Sequence, residues 1–299
     1  MSFLGTARVL LVFSGLAAVT SIVLLFTPGL KLSIEFSGGS LIELALPEAT
    51  TKEQLTSALE TFRLTDGSTL VNPSVTATQD GSVLIRLKTM TNEEHLALLS
   101  HLTTALGEIK ELQFTTIGPT VGATMKSRAL LALLAASVGI ILYLAFAFRN
   151  VPRRFSPWKF GVLAVLALLH DLLITTGIFV ILSLFTTFEF DTLFVTALLT
   201  VLGYSTNDTI VIFDRIRENV SLANRNEDFE QVVERSLQES VVRTMGTGQT
   251  ALYMLFAMVF FGPVSIRWFM LALIIGTIIG TYSSFFIATP LLVYWRKRE

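Results

Sequence analysis

The sequence contains no cysteine, which excludes a disulfide framework, a thiolate nucleophile and any cysteine-ligated metal. Charge is also scarce. Asp, Glu, Lys and Arg make up 15% of the 299 residues and nearly cancel, to a net charge of −1. So balanced a chain offers no basic body to neutralise phosphates, which argues against nucleic acid as a partner. The glycine pair in Ser37-Gly-Gly-Ser40 lacks phosphate-loop spacing and reads as a backbone device. Apolar residues fill the space left by these absences: 52% hydrophobic, 23 phenylalanines and a mean hydropathy of +0.66. A soluble domain of this length has no interior large enough for that much apolar surface, so the composition indicates a polytopic membrane protein.

Six apolar runs, about 8–27, 129–148, 158–184, 190–213, 241–262 and 268–294, each approach the roughly 20 residues that a bilayer core requires. The first is long, lacks a convincing small-residue cleavage site and is followed by further spans, so it reads as a retained membrane helix rather than a signal peptide. The loops alternate in charge. Segment 185–189 has no Lys or Arg, and 263–267 has only Arg267 at its edge. Arg149, Arg153, Arg154 and Lys159 flank one intervening loop, Arg215, Arg217, Arg225 and Arg235 the next, and Arg296, Lys297 and Arg298 close the chain. The positive-inside rule then puts both termini in the cytoplasm.

Residues 28–127 have no span-length apolar run and form an extracytoplasmic domain in this reading. Ile34–Phe36 and Leu41–Leu46 read as one strand broken at the glycine pair. Thr51 with Gln54 opens an amphipathic helix to Phe62, and Thr91 with Glu94 opens a second to Leu106, both with capping-box chemistry. Ser74–Thr78 and Val83–Lys88 flank an Asp-Gly hairpin turn, and Ile109–Ile117 returns as a last strand. The order β-α-β-β-α-β predicts a small α+β ferredoxin-like domain. The domains are therefore 1–27, a first transmembrane helix; 28–127; and 128–299, a five-helix transmembrane domain with a cytoplasmic loop at 214–240. Within that loop Phe229, Val232, Val233 and Leu237 recur at helical spacing, as on an amphipathic helix lying against the membrane or a partner.

Ionisable residues inside spans cost about 3 kcal/mol or more in hydrocarbon and mark function by default. His170 and Asp171 lie near the middle of the third span, Asp208 in the fourth, and Arg243 early in the fifth. Helical offsets place Tyr204 and Ser205 on one face with Asp208, Thr175 with Asp171, and Gly246, Thr247 and Thr250 with Arg243. Asp208 precedes the charged Asp214 by six residues and Arg243 follows Glu239 by four, so the two reach similar depth, about 9 and 6 Å inward at 1.5 Å per residue. A carboxylate at that depth with an arginine in reach would be poised for proton uptake and release. Gly276 and Gly280, followed at the same spacing by Ser284, read as a close-packing helix face.

Several strings resemble the SecF family, the smaller subunit of the bacterial SecD–SecF accessory complex of the protein-export translocon. They are Phe36-Ser-Gly-Gly39, Gly118-Pro-Thr-Val-Gly122, Leu169-His-Asp-Leu-Leu-Ile-Thr175, Gly203-Tyr-Ser-Thr-Asn-Asp-Thr209, Phe213-Asp-Arg-Ile-Arg-Glu-Asn219 and Gly276-Thr-Ile-Ile-Gly-Thr-Tyr-Ser-Ser284, with Pro290 after them. The likeness covers nearly the whole chain. It implies a mainly α, RND-like half of six transmembrane helices completed by a SecD-like six-helix subunit. It also implies a bacterial plasma-membrane location, contact with the Sec translocon channel, and proton flow coupled to movement of an unfolded preprotein. No cofactor other than the proton motive force is implied, and no enzymatic activity. The family's aspartate and arginine fall on Asp208 and Arg243, with Asn207 in the same string; His170, Asp171 and Tyr204 complete the expected relay. Met245-Gly-Thr-Gly-Gln-Thr250 and Gly262-Pro263 depart from the family's usual polar run and double glycine. One competing reading is an RND-type half-transporter for lipid or a small molecule, which the small outer domain disfavours. Another is an intramembrane aspartyl protease built on Asp171 and Asp208, which their flanking residues and Arg243 disfavour.

Overall fold

The computed structural model describes residues 3–47, 50–64, 67, 69–70, 73–77, 81–147, 157–223 and 227–297. Arg149, Arg153, Arg154, Arg225 and Arg298, on which part of the charge asymmetry rests, lie outside the described residues, as does most of the Asp-Gly turn. The chain divides into two compact units: Lys31–Leu130 with Glu189–Asp191, and the remainder.

The smaller unit contains α2 (Ile34–Ser37), β1 (Gly39–Ala45), α3 (Lys52–Thr61), β2 (Ser74–Ala77), β3 (Ser82–Leu87), α4 (Asn92–Leu106) and β4 (Lys110–Ile117). The sheet order is β2-β3-β1-β4 with every neighbouring pair antiparallel, which is the ferredoxin-like arrangement. Alternation along β1 and β3 turns Ile42, Leu44, Ile85 and Leu87 onto Leu55, Leu59, Leu98 and Leu102 of the two helices. Both helices start at the expected capping boxes, Thr51 with Gln54 and Thr91 with Glu94.

One expected strand is absent: Ile34–Phe36 is helical. The Ser33 hydroxyl accepts from the Glu35 amide at 3.2 Å and starts a single turn, which Gly38 ends at φ +74°. Gly39, at φ +123°, leaves no room for a side chain, since a Cβ there would sit 2.7 Å from the Leu87 carbonyl oxygen. A Cβ on Gly122 would lie 2.8 Å from the Gly38 amide nitrogen, so two strings far apart in sequence meet backbone to backbone. Residues 189–191 also belong to this unit. Phe190 exchanges backbone hydrogen bonds with Lys31 and Ser33, and Glu189 pairs with Arg86 and Lys31.

The larger unit holds α1 (Phe3–Phe26), most of α5 (Pro119–Ala147), α6 (Pro157–Phe185), α7 (Thr192–Leu222), α8 (Phe229–Phe261), α9 (Arg267–Ser283) and α10 (Thr289–Lys297). Among the described residues, six helical stretches are long and apolar enough to cross a membrane, the last running Val264–Arg296. α6, α7 and α9 are the most buried and pack against one another.

Three boundaries differ from expectation. First, α5 begins at Pro119, ten residues before the apolar run, because proline suits a first helical turn whose amide has no partner anyway. Second, α7 runs on to Leu222 where a loop was expected from 214, while the helix expected over Phe229–Leu237 is present as the first turns of α8, and 223–228 connects the two. Charged residues are tolerated on these helix ends because they pair. Arg217 bonds Asp214 at 2.5 Å, while Arg215 bonds Glu218 at 2.6 Å and Glu239 of α8 at 2.7 Å. The apolar stripe Phe229, Val232, Val233 and Leu237 is buried, and most of it joins the core with Ile212, Phe213 and Ile216 of α7. Third, the last span is interrupted by a π-helical turn at Ser284–Ala288. Pro290 lacks the amide that would bond the Phe286 carbonyl, and the Thr289 hydroxyl instead bonds the Ser284 carbonyl at 2.9 Å.

Candidate functional site

The polar centre of the larger unit is organised by five consecutive residues of α9 and its junction with the π-turn. Successive side chains on a helix are about 100° apart, so five in a row point in all directions. Gly280 abuts α7, where a Cβ would lie 2.9 Å from the Ser205 Cβ. The Thr281 hydroxyl donates to Asp208 Oδ2 at 3.0 Å. The Tyr282 hydroxyl reaches α1, 2.9 Å from Ser14 Oγ and donating to the Leu10 carbonyl at 3.2 Å. The Ser283 hydroxyl donates to Asp171 Oδ2 at 2.8 Å, and that of Ser284 lies 2.9 Å from Thr209 Oγ1.

Two carboxylates are therefore buried, each only 1% exposed, in different settings. Asp171 of α6 has three donors. Ser205 Oγ at 2.5 Å and Ser283 Oγ at 2.8 Å both reach Oδ2, while His170 Nδ1 lies 3.0 Å from Oδ1. An ionised carboxylate only accepts, so Nδ1 carries the proton and Nε2 is the bare nitrogen, buried without a partner. Asp208 has Thr281 as its hydrogen-bonding side chain. No hydrogen bond joins the two carboxylates, so the shared proton that an aspartyl protease needs is not built here.

The sequence-derived residues fall into two groups. His170, Asp171, Tyr204 and Asp208 converge on this centre. A Cβ built on Gly248 would contact the hydroxyls of both Tyr204 and Thr281, so that glycine opens the space beneath them. Arg243 and Asn207 are exposed on the outside of α8 and α7, and no ion pair joins Arg243 to Asp208. Depth was not the obstacle; azimuth was. On α8 the buried line is Ser240, Thr244 and Gly248, and Arg243 is turned about 100° away from it. Gly276 and Gly280 lie against Val201 and Ser205 of α7. Thr281 and Ser283 were not singled out from the sequence as carboxylate donors. Their signal was a run of four hydroxyls after Gly280 inside an apolar span. Thr175 and Thr244 are buried with hydroxyls that have no hydrogen-bond partner among the described residues. Within those residues there is also no cluster of three His, Asp or Glu side chains placed to hold a metal.

Comparison with known proteins identifies the family. The family described as "Protein export membrane protein SecD/SecF, C-terminal" matches residues 98–298, and the SecD/SecF GG motif matches residues 23–46. The protein translocase subunit SecF of Thermobaculum terrenum is 41% identical over 277 residues, covering 91% of this chain and 86% of that one. Its counterpart in Anaerolinea thermophila is 33% identical and covers 100% of this chain and 95% of its own. The crystal structure of SecDF, a translocon-associated membrane protein from Thermus thermophilus, superposes with a TM-score of 0.84 at 33% identity; this chain spans 39% of that longer one. With six span-length helices, a ferredoxin-like unit carrying the glycine pair, and relatives matched over nearly their full length, this chain belongs to the SecF branch of the SecD/SecF family of protein-export membrane proteins.

Proposed function

We propose that this chain is the SecF-type half of a protein-export accessory that draws on the proton gradient, with Asp208 as the proton-carrying group. The observation that carries this reading is Asp208 itself: 1% exposed, in the middle of a span-length helix, held by one neutral hydroxyl and paired with no cation among the described residues. A carboxylate so placed pays desolvation when charged and has little to offset it, so its proton is exchangeable rather than locked. Proton uptake at Asp208 changes what Thr281 donates to and so acts directly on the α7–α9 contact.

Arg243 complements this from outside. A guanidinium on the exposed face of a membrane helix requires an anion from elsewhere. A SecD-type six-helix partner with a facing carboxylate supplies it, and the SecDF chain of Thermus thermophilus, in which the likeness to this chain is 39% of a longer protein, supports a SecD half beside it. The wider setting that goes with this reading is a bacterial plasma membrane with both termini in the cytoplasm, the Sec translocon as neighbour and an unfolded preprotein as cargo, with coupling rather than catalysis as the task; relatives named protein translocase subunit SecF and the charge alternation of the loops support it. Asp208→Asn is the test. It should insert and assemble normally yet abolish gradient-dependent export of a reporter preprotein in spheroplasts, and unchanged export with unchanged proton conductance would refute the assignment.

A further inference from the structure

We propose that Asp171 is a positioning residue: through Ser205 and Ser283 it holds α7 and α9 in the register at which Thr281 donates to Asp208. This rests on reading Asp208 as the proton-carrying group. Asp171 stands on a third helix, α6, and its Oδ2 accepts from one hydroxyl of each of the other two, Ser205 of α7 at 2.5 Å and Ser283 of α9 at 2.8 Å. Those two serines are local to the working pair. Ser205 is one turn before Asp208, and Ser283 is two residues after Thr281.

The helices touch there without slack. A Cβ on Gly280 would lie 2.9 Å from the Ser205 Cβ, and one on Gly276 would run into Val201. With the backbones in contact, the pull of one carboxylate oxygen on both hydroxyls sets where each helix stands along its axis. Two hydroxyls bonded to one oxygen at these distances tie α7 and α9 to a common point on α6. His170 Nδ1, 3.0 Å from Oδ1, holds the carboxylate from its own helix and keeps Oδ2 free for the pair of serines. The groups facing Asp171 are thus His170 of α6, Ser205 of α7 and Ser283 of α9; no Lys or Arg bonds it.

The experiment reads Asp208 rather than export alone. The full chain, reconstituted with its membrane partner, is exposed to dicyclohexylcarbodiimide, which modifies protonated buried carboxyls, across a pH series; mass spectrometry quantifies the adduct on Asp208. Ser205→Ala combined with Ser283→Ala should move the midpoint of labelling by about one pH unit, a tenfold change in proton affinity. Asp171→Asn keeps the volume and one acceptor oxygen, and His170 in its other tautomer accepts from the new amide, so the midpoint should stay within about 0.2 unit of wild type. Ser283→Ala alone should move it part of the way, and Ser283→Thr should restore it, which keeps the test decisive if the double variant does not fold. An unmoved midpoint in both serine variants would overturn the proposal. So would an Asp171→Asn shift as large as that of the double variant, since Asp171 would then act through its charge or carry the proton itself. Failure of the Asp208 reading would appear separately, as normal export by Asp208→Asn, because labelling reports proton affinity whether or not that proton drives transport.

Discussion

A charge inside a membrane is defined by what answers it, and the three in-span sites are answered differently. Among the described residues Asp171 has three donors, Asp208 has one, and Arg243 has no carboxylate. Under the proposed function this contrast assigns the positioning role to Asp171 and the proton to Asp208, although both are equally buried. Arg243 is the most informative to vary, because the proposed function gives it an anion from a second subunit. Arg243→Lys keeps the charge but replaces a planar fork with a point donor. Loss of one charge-assisted hydrogen bond is worth about 1.5–3 kcal/mol, so export should fall roughly tenfold or more while membrane insertion and assembly persist. Pulse-chase export of a reporter preprotein measures it, and full activity would reduce Arg243 to a generic positive charge. The sequence put Arg243 near the depth of Asp208 and left open whether the two touch. Rise along a helix is legible in a sequence; the face that a neighbouring helix occupies is not.

At the scale of elements, α9 is the hub on which α1, α6 and α7 converge, and glycine makes that convergence possible. A side chain on Gly276 would collide with Val201, and one on Gly280 would press on Ser205. Gly276→Ala and Gly280→Ala should each destabilise the purified protein by about 1–3 kcal/mol, the usual cost of overpacking, outweighing the better helix propensity of alanine. Gly139→Ala on α5, where a Cβ meets nothing within 4 Å, should be neutral or slightly stabilising. Thermal unfolding in detergent separates the two cases, and a neutral Gly280→Ala would remove the tight α7–α9 contact from the account. Much of this level was readable beforehand: six spans from apolar runs, the capped helices from Thr51 and Thr91, and the Gly276/Gly280 face from its spacing. The misreadings share a cause. Ile34–Phe36 has strand composition but is turned by the Ser33 cap, 214–222 looks like a loop but continues α7, held by pairing with α8, and the π-turn depends on a proline six residues beyond Ser284. In each case a bond to another residue overrides local composition.

At the scale of the whole molecule, exposure in the larger unit is of two chemical kinds. The outer face of α1 is apolar over its middle turns, with Val9, Val12, Phe13 and Leu16 all more than 60% exposed and the Thr20 hydroxyl returned to the Leu16 carbonyl, and lipid tails suit it. The outward residues of α7 and α8 include Asn207, Arg243, Gly246, Thr247 and Thr250. The two threonine hydroxyls are returned to their own helix, bonding the Arg243 and Gly246 carbonyls at 2.9 Å. The Asn207 amide and the Arg243 guanidinium are too polar to face hydrocarbon and call for protein. The difference predicts where a second six-helix subunit docks, and the absence of cysteine makes the test clean, because any thiol introduced is the only one in the chain. Thr250→Cys and Asn207→Cys, each placed singly in an otherwise active chain, should resist a membrane-permeant maleimide when the partner is co-expressed and react when it is not. Phe13→Cys on α1 should react alike in both conditions. If the α7 and α8 positions label equally with and without the partner, the polar face is not the docking surface, and the anion that answers Arg243 must be sought elsewhere.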